Sequence, residues 1–314
     1  MAIDLRLRQF GSLFSEGIEA DRFVTRADIR RRRKSMLSET LAQQATRLAA
    51  VAGHALRPDK FRDLPATVDC ILRESMIKPA GLPDPSRALS SPDGLCGLVA
   101  ELSPEILVEA MSRGLYVRPL MAALAWWSPS LRHVIIPGQA KIPTGVRGHL
   151  RKGDLQVTFD RDFDQVLADC TAAARQRFDG SALPPRLMKL FAKMHDAGFA
   201  HSFEVRDRGR LVAGGFGFGI GGIFTTEQMF GDSPDAVDLG LTLLNRHLTR
   251  WGFAMHDVKT DASFERFGAR ALPRQEFLQK ASVCLGGGKT GRWSVDRALC
   301  GPPMPGQSES GARH

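Results

Sequence analysis

Apolar residues recur at helical spacing at Leu37, Leu41, Ala45, Leu48 and Ala52, which predicts one amphipathic helix closing near Gly53. Between Lys78 and Asp93 the periodicity stops, and Pro79, Gly81, Pro83, Pro85, Ser90, Ser91 and Pro92 read as a linker. Ser103-Pro104-Glu105 then opens a helix, since Ser caps, Pro tolerates the first turn and Glu favours the positive end of the dipole; Gly114 stops it. His133 to Pro137 is strand-like. From Leu155 onward helical and alternating patterns follow each other: a strand at 155–159, helices over 163–175 and around 187–194, strands at 201–207, 211–219 and 220–230. A helix opened by Ser233-Pro234-Asp235 with Leu241, Leu244 and Leu248 on one face, a strand at 253–259 and a short helix at 274–280 complete the series.

This order predicts an α+β fold with a mixed central sheet flanked by helices. At 314 residues the chain has room for about two domains. The divisions expected are a basic, mostly helical extension over 1–85, a small domain over 86–150, a larger α+β domain over 151–300 and a disordered tail over 301–314.

Charge changes the picture most in the first third. Residues 1–90 hold 16 Lys and Arg against 11 Asp and Glu, out of a whole-chain net of +9. Arg30, Arg31, Arg32, Arg33 and Lys34 form an uninterrupted cationic run, either an arm that contacts RNA phosphates or a solvated helix start. Five scattered cysteines with no CxxC pair, and histidines with no HExxH, predict neither a disulfide framework nor a bound metal and suit a reducing cytoplasm. Hydrophobic residues make up 43% of the chain, too many for disorder throughout, and the longest central apolar stretch falls far short of the ~20 residues a membrane span needs.

Several strings are distinctive. Trp126-Trp127-Ser128-Pro129-x-x-Arg132 is followed downstream by Met194-His195-x-x-Gly198-x-Ala200-His201-Ser202-x-Glu204-Val205. Leu211-Val212-x-Gly214-Gly215, Glu227-x-Met229-Phe230, Gly268-Ala269 and Pro273-Arg274-x-x-Phe277-Leu278 follow. In this order and spacing they resemble the leucyl/phenylalanyl-tRNA–protein transferase family over roughly residues 94–280, and the element order resembles a GNAT-like transferase domain. Residues 1–85 lie outside that resemblance.

The resemblance implies an aminoacyltransferase. Such an enzyme moves an amino acid from the 3′ end of an aminoacyl-tRNA to the α-amine of a protein beginning with Arg or Lys, marking it for degradation. The tRNA ester is already activated, so no cofactor is implied; the expected state is a cytoplasmic monomer off the membrane. The implied catalytic carboxylates are Glu227 and Asp257. The family's Asp-x-Gln pair falls on His256-Asp257-Val258-Lys259, where one gap aligns Asp257 with the Asp and Lys259 with the Gln, and no gap aligns His256 with the Asp. Solvent-facing strand-end acid is the alternative for Glu227.

The donor side chain needs an apolar pocket. The implied positions are Phe224, Met229, Leu241 and Leu244, with Gly215 where a Met is expected, so a wider pocket and a donor range differing from or exceeding Leu and Phe are expected. Leu241 and Leu244 are also plausible core. The family's Phe-Pro-Trp string is absent after Arg113-Gly114, and its Trp-Ile-Thr-Arg string, which helps seat the 3′ adenosine, corresponds to Ala182-Leu183-Pro184-Pro185. Trp127 remains as core anchor or stacking platform. The glycines at 214, 215, 217, 219, 221 and 222 carry dinucleotide-fingerprint letters but open no helix, so they suggest a groove for an extended substrate or a bulged hairpin. Competing readings are an acyl-CoA-dependent N-acyltransferase and a non-catalytic tRNA-binding homologue.

Overall fold

The computed structural model describes residues 26–55, 57, 63–76, 81–120, 123–284 and 286–302. The expected tail lies outside these from residue 303 onward, as does the expected extension up to residue 25. The helix predicted from Leu37 is in fact two: α1 (Arg26–Met36) and α2 (Leu41–Ala55), followed by α3 (Leu64–Met76). A capping box makes the break. The Gln43 N–H donates to Thr40 Oγ1 (3.2 Å) and the Thr40 N–H to Gln43 Oε1 (3.0 Å), which starts a new helix at a point the hydrophobic period runs straight through.

Next comes a three-stranded antiparallel sheet in the order β1 (Leu95–Leu98), β3 (Ala123–Trp127), β2 (Tyr116–Leu120). Helix α4 (Pro104–Ser112) lies between β1 and β2 in sequence. Ser103 Oγ caps it by accepting from the Ile106 N–H, and Gly114, at φ +79°, ends it in a conformation a side chain would strain.

The main sheet has seven strands in the order β10-β4-β9-β8-β7-β6-β5. They are β4 (Leu131–Ile135), β5 (Gln156–Phe159), β6 (Ala200–Asp207), β7 (Arg210–Ile220), β8 (Ile223–Gly231), β9 (Met255–Asp257) and β10 (Arg270–Pro273). Only the β8–β9 pair is parallel, bridged by the crossover helix α8 (Pro234–Arg250), as a parallel pair requires. The remaining helices are α5 (Val146–Lys152), α6 (Phe163–Arg177), α7 (Pro185–Asp196) and α9 (Arg274–Val283). The α+β class is therefore the observed one. Strand β4, which precedes the division expected at residue 150, sits between β9 and β10 within the large sheet. The strand expected over 253–259 is only three residues long, and α5 carries no expected counterpart.

Alternation along the strands sends side chains to the two larger of three hydrophobic cores among the described residues. Phe216 and Phe218 pack with α4, α6 and α7, while Phe203, Val205 and Phe224 pack with α5 and α8. Helix α1 docks on the first: Leu37, just past its end, is buried there, and Arg33 reaches both Asp164 and Asp196. Among the described residues no helix is long and apolar enough to cross a membrane.

Candidate active site

The parallel β8–β9 pairing puts Thr225 opposite Asp257. Two residues beyond the end of β9, Lys259 stands beside Glu227, with its Nζ 2.5 Å from Glu227 Oε2. Lys259 holds a left-handed backbone conformation (φ +59°), which costs a residue with a Cβ about 1 kcal/mol or more. In that conformation its N–H donates to Asp257 Oδ1 at 2.9 Å while its side chain turns to Glu227.

Asp257 is fully buried and fully engaged. Arg132, on the neighbouring strand β4, grips it with Nε (3.1 Å to Oδ1) and Nη2, and Thr225 Oγ1 donates to Oδ2 at 3.2 Å. Arg132 is itself clamped. Its Nη1 donates to the Gly114 carbonyl at 3.2 Å, and its guanidinium lies 5.0 Å from the Tyr116 ring centre and 4.5 Å from that of Phe277. The Lys259 ammonium sits 4.7 Å from the Tyr116 ring centre. Two carboxylates and two cations thus form one network, Glu227–Lys259 and Asp257–Arg132, joined through the Lys259 backbone. Burial lowers the Lys259 pKa below the ordinary lysine value, against the upward pull of Glu227.

The network forms part of the wall of a cavity of about 350 Å³, bordered by Glu227, Met229, Lys259, Arg118, Arg177 and Asp261 among others. A second cavity of about 260 Å³ adjoins it and shares Arg118, Pro119 and Thr260. Trp127, Tyr116 and Leu120 form one side of the second cavity, and Val51, Leu64 and Thr67 of the N-terminal helices form another. The region outside the family resemblance therefore walls part of this cleft.

The other expected site residues divide sharply. Met229 borders the first cavity and half-buried Trp127 the second. Phe224, Leu241 and Leu244 are buried within the core shared by the sheet and α8, at 2%, 0% and 1% exposure, and none borders either cavity. Gly215 does not open extra room: a Cβ there would stand 2.6 Å from both Met229 Cγ and Phe203 Cε1, so the space is already filled. The glycine-run groove is likewise occupied. A Cβ at Gly217 would meet the Thr225 carbonyl at 2.3 Å and the Phe224 ring at 2.7 Å, and the β7–β8 register shifts between Phe216 and Gly217, which makes this a bulged hairpin packed by aromatic rings. In the basic run Arg30, Arg31, Arg32 and Lys34 are exposed, whereas Arg33 is spent on Asp164 (2.7 Å) and Asp196 (2.5 Å).

His256, the ungapped alternative to Asp257, is core. Its Nδ1–H donates to Asn245 Oδ1 (2.9 Å), and in the neutral ring its Nε2 accepts from Thr226 Oγ1 (2.7 Å). Burial pushes its pKa down to about 4, with Asp257 opposing. The distinctive His201-Ser202-x-Glu204 string also lies away from the cavities. His201 Nδ1 pairs with Asp160 (2.8 Å) and its ring stacks on Trp293 at 3.7 Å, while Ser202 and Thr158 donate to Glu204, a buried brace that pins the C-terminal segment to the sheet. Burial raises the Glu204 pKa.

A family profile described as leucyl/phenylalanyl-tRNA protein transferase matches residues 134–282. A curated leucyl/phenylalanyl-tRNA–protein transferase of Anaeromyxobacter sp. (strain Fw109-5) is 36% identical over 222 residues, 68% of this chain and 92% of the relative. The chain belongs to this family. The transferase of Azotobacter vinelandii is 36% identical over 66% of this chain and 91% of its own length, and that of Cellvibrio japonicus 39% over 62% and 83%.

Within the family motifs, sequence reasoning passed over three residues that the site depends on. Arg132 was visible as the last letter of the Trp-Trp-Ser-Pro-x-x-Arg string. Tyr116 stood in the altered string after Gly114, and Lys259 in the place of the implied Gln. None announces itself by periodicity, because the partners that matter lie on other elements, as with Arg132 and Asp257, 125 residues apart.

Proposed function

We propose that this family member transfers an amino acid from the 3′ end of an aminoacyl-tRNA to the α-amine of a protein beginning with Arg or Lys, and that the product is thereby marked for degradation. The amine attacks the ester carbonyl, the tetrahedral adduct collapses, the peptide bond forms and the tRNA leaves as its alcohol. The ester supplies the activation, so the protein's part is to bind both ends, keep the amine neutral and stabilise the oxyanion.

The observation that carries this reading is the position of Glu227. It borders the cavity and is tied through Lys259 to the buried Asp257–Arg132 pair. Glu227 is assigned the acceptor's amine or cationic side chain. Asp257 has no oxygen left open to substrate, so it is a positioning residue that fixes the end of β9 and, through it, Lys259 and Glu227. Its pairing with Arg132 and its link through the Lys259 backbone to Glu227 favour Asp257, rather than His256, as the family's Asp. The exposed cations Arg30, Arg31, Arg32 and Lys34 are assigned to tRNA phosphates. Met229 and Trp127 are the remaining candidates for substrate contact; Phe224, Leu241 and Leu244 are packed in the core, and the filled space at Gly215 gives no support to a wider donor range.

The test is transfer from leucyl-, phenylalanyl- and other charged tRNAs to an Arg-starting peptide, with acetyl-CoA as a parallel donor. Glu227→Ala is expected to lower kcat by about a hundredfold or more. Transfer unaffected by that change, or from acetyl-CoA alone, overturns the reading.

A further inference from the structure

The carboxylate assigned to the acceptor already has a cation on it. Lys259 Nζ lies 2.5 Å from Glu227 Oε2, with side-chain exposures of 12% and 6%, so the pair is built into the cavity wall rather than solvated. The placement is specific: Lys259 adopts a left-handed backbone conformation, and Tyr116 flanks its ammonium. The charged residues bordering this cavity are Arg118, Arg177 and Lys259 against Glu227 and Asp261, a net of +1 by count, and Arg177 also pairs with Asp179 at 3.1 Å.

We infer that Lys259 is a specificity-determining residue that competes, from within the protein, with the cationic first residue of the acceptor for Glu227. This rests on the proposed function above and refines its acceptor class. An incoming Arg or Lys side chain must displace an ammonium already seated 2.5 Å from the carboxylate, whereas an uncharged first residue has nothing to displace. The acceptor range therefore extends beyond Arg and Lys to proteins beginning with small neutral residues. Removing the ammonium leaves a carboxylate in a recessed site without its cation, a state that an incoming cation relieves.

The experiment compares kcat/KM for otherwise identical peptides starting with Arg and with Ala, using leucyl-tRNA as donor, in the wild type, Lys259→Gln, Lys259→Met and Lys259→Arg. The Arg-to-Ala ratio is expected to rise about tenfold or more in Lys259→Gln and Lys259→Met, and to stay at the wild-type value in Lys259→Arg. General damage to the site lowers both rates together and leaves the ratio alone. A ratio unchanged in Lys259→Gln, or raised equally in Lys259→Arg, overturns the inference. Calorimetric binding of the same two peptides without tRNA gives an independent reading. Tighter binding of the Arg peptide alone to Lys259→Gln supports the inference even where transfer fails and the proposed function falls. Equal affinities in both proteins overturn it.

Discussion

At the residue scale the decisive contact is Arg132 with Asp257. Both side chains are almost wholly out of water, and each is satisfied by the other and by neutral donors or acceptors around them. Breaking such a pair from one side strands the other charge. Asp257→Asn is therefore expected to destabilise the protein by about 3–5 kcal/mol, measured by denaturant unfolding. Arg132→Lys keeps the charge and loses the two-pronged grip, and is expected to cost less on the same measurement. The two acids were readable from the sequence through their motifs, but their unequal roles were not. Glu227 and Asp257 look alike as letters, and only burial and the reach of Arg132 make one a structural anchor and leave the other at the cavity.

At the scale of elements, local chemistry explains what periodicity blurs. Leu37 and Leu41 fall in one helical stripe, yet the Thr40–Gln43 box ends one helix and begins another, and Leu37 is buried while Leu41 is 85% exposed. Helix α1 is held by Arg33 to α6 and to the end of α7. Arg33→Ala is expected to loosen it by about 1 kcal/mol, since the ion pairs are partly solvated, and to speed amide exchange in α1 without altering that of the central strands. The β7–β8 hairpin gives the opposite case. Its glycines look like an open groove in the sequence, but rings from β6 and β8 fill the space. Gly215→Ala is expected to destabilise by about 1–3 kcal/mol through overpacking against Phe203 and Met229, read as a shift of the denaturation midpoint.

For the whole molecule, two predictions concern charge. His256 binds its proton less readily folded, with a pKa near 4, than unfolded, near 6.5, so between those values the unfolded chain holds more protons. Stability is then fully present above about pH 6.5 and falls as pH drops toward 4, by up to about 3 kcal/mol from this group; thermal unfolding across that window, compared with His256→Gln, checks the slope. The four exposed cations of α1 act over longer range. Arg31→Ala with Arg32→Ala is expected to flatten the dependence of log K for tRNA on log salt by about one to two units. The amino-acid order was enough to establish the α+β class, most helices and strands, the family motifs and the basic run, because each of these is written in local spacing, capping residues or composition. It was not enough to join β4 to the larger sheet, bring Arg132 onto Asp257, close the space at Gly215 or put Lys259 on Glu227. Those outcomes depend on which distant strands become neighbours and which charges leave water together, and no stretch of chain short enough to show a pattern contains both partners.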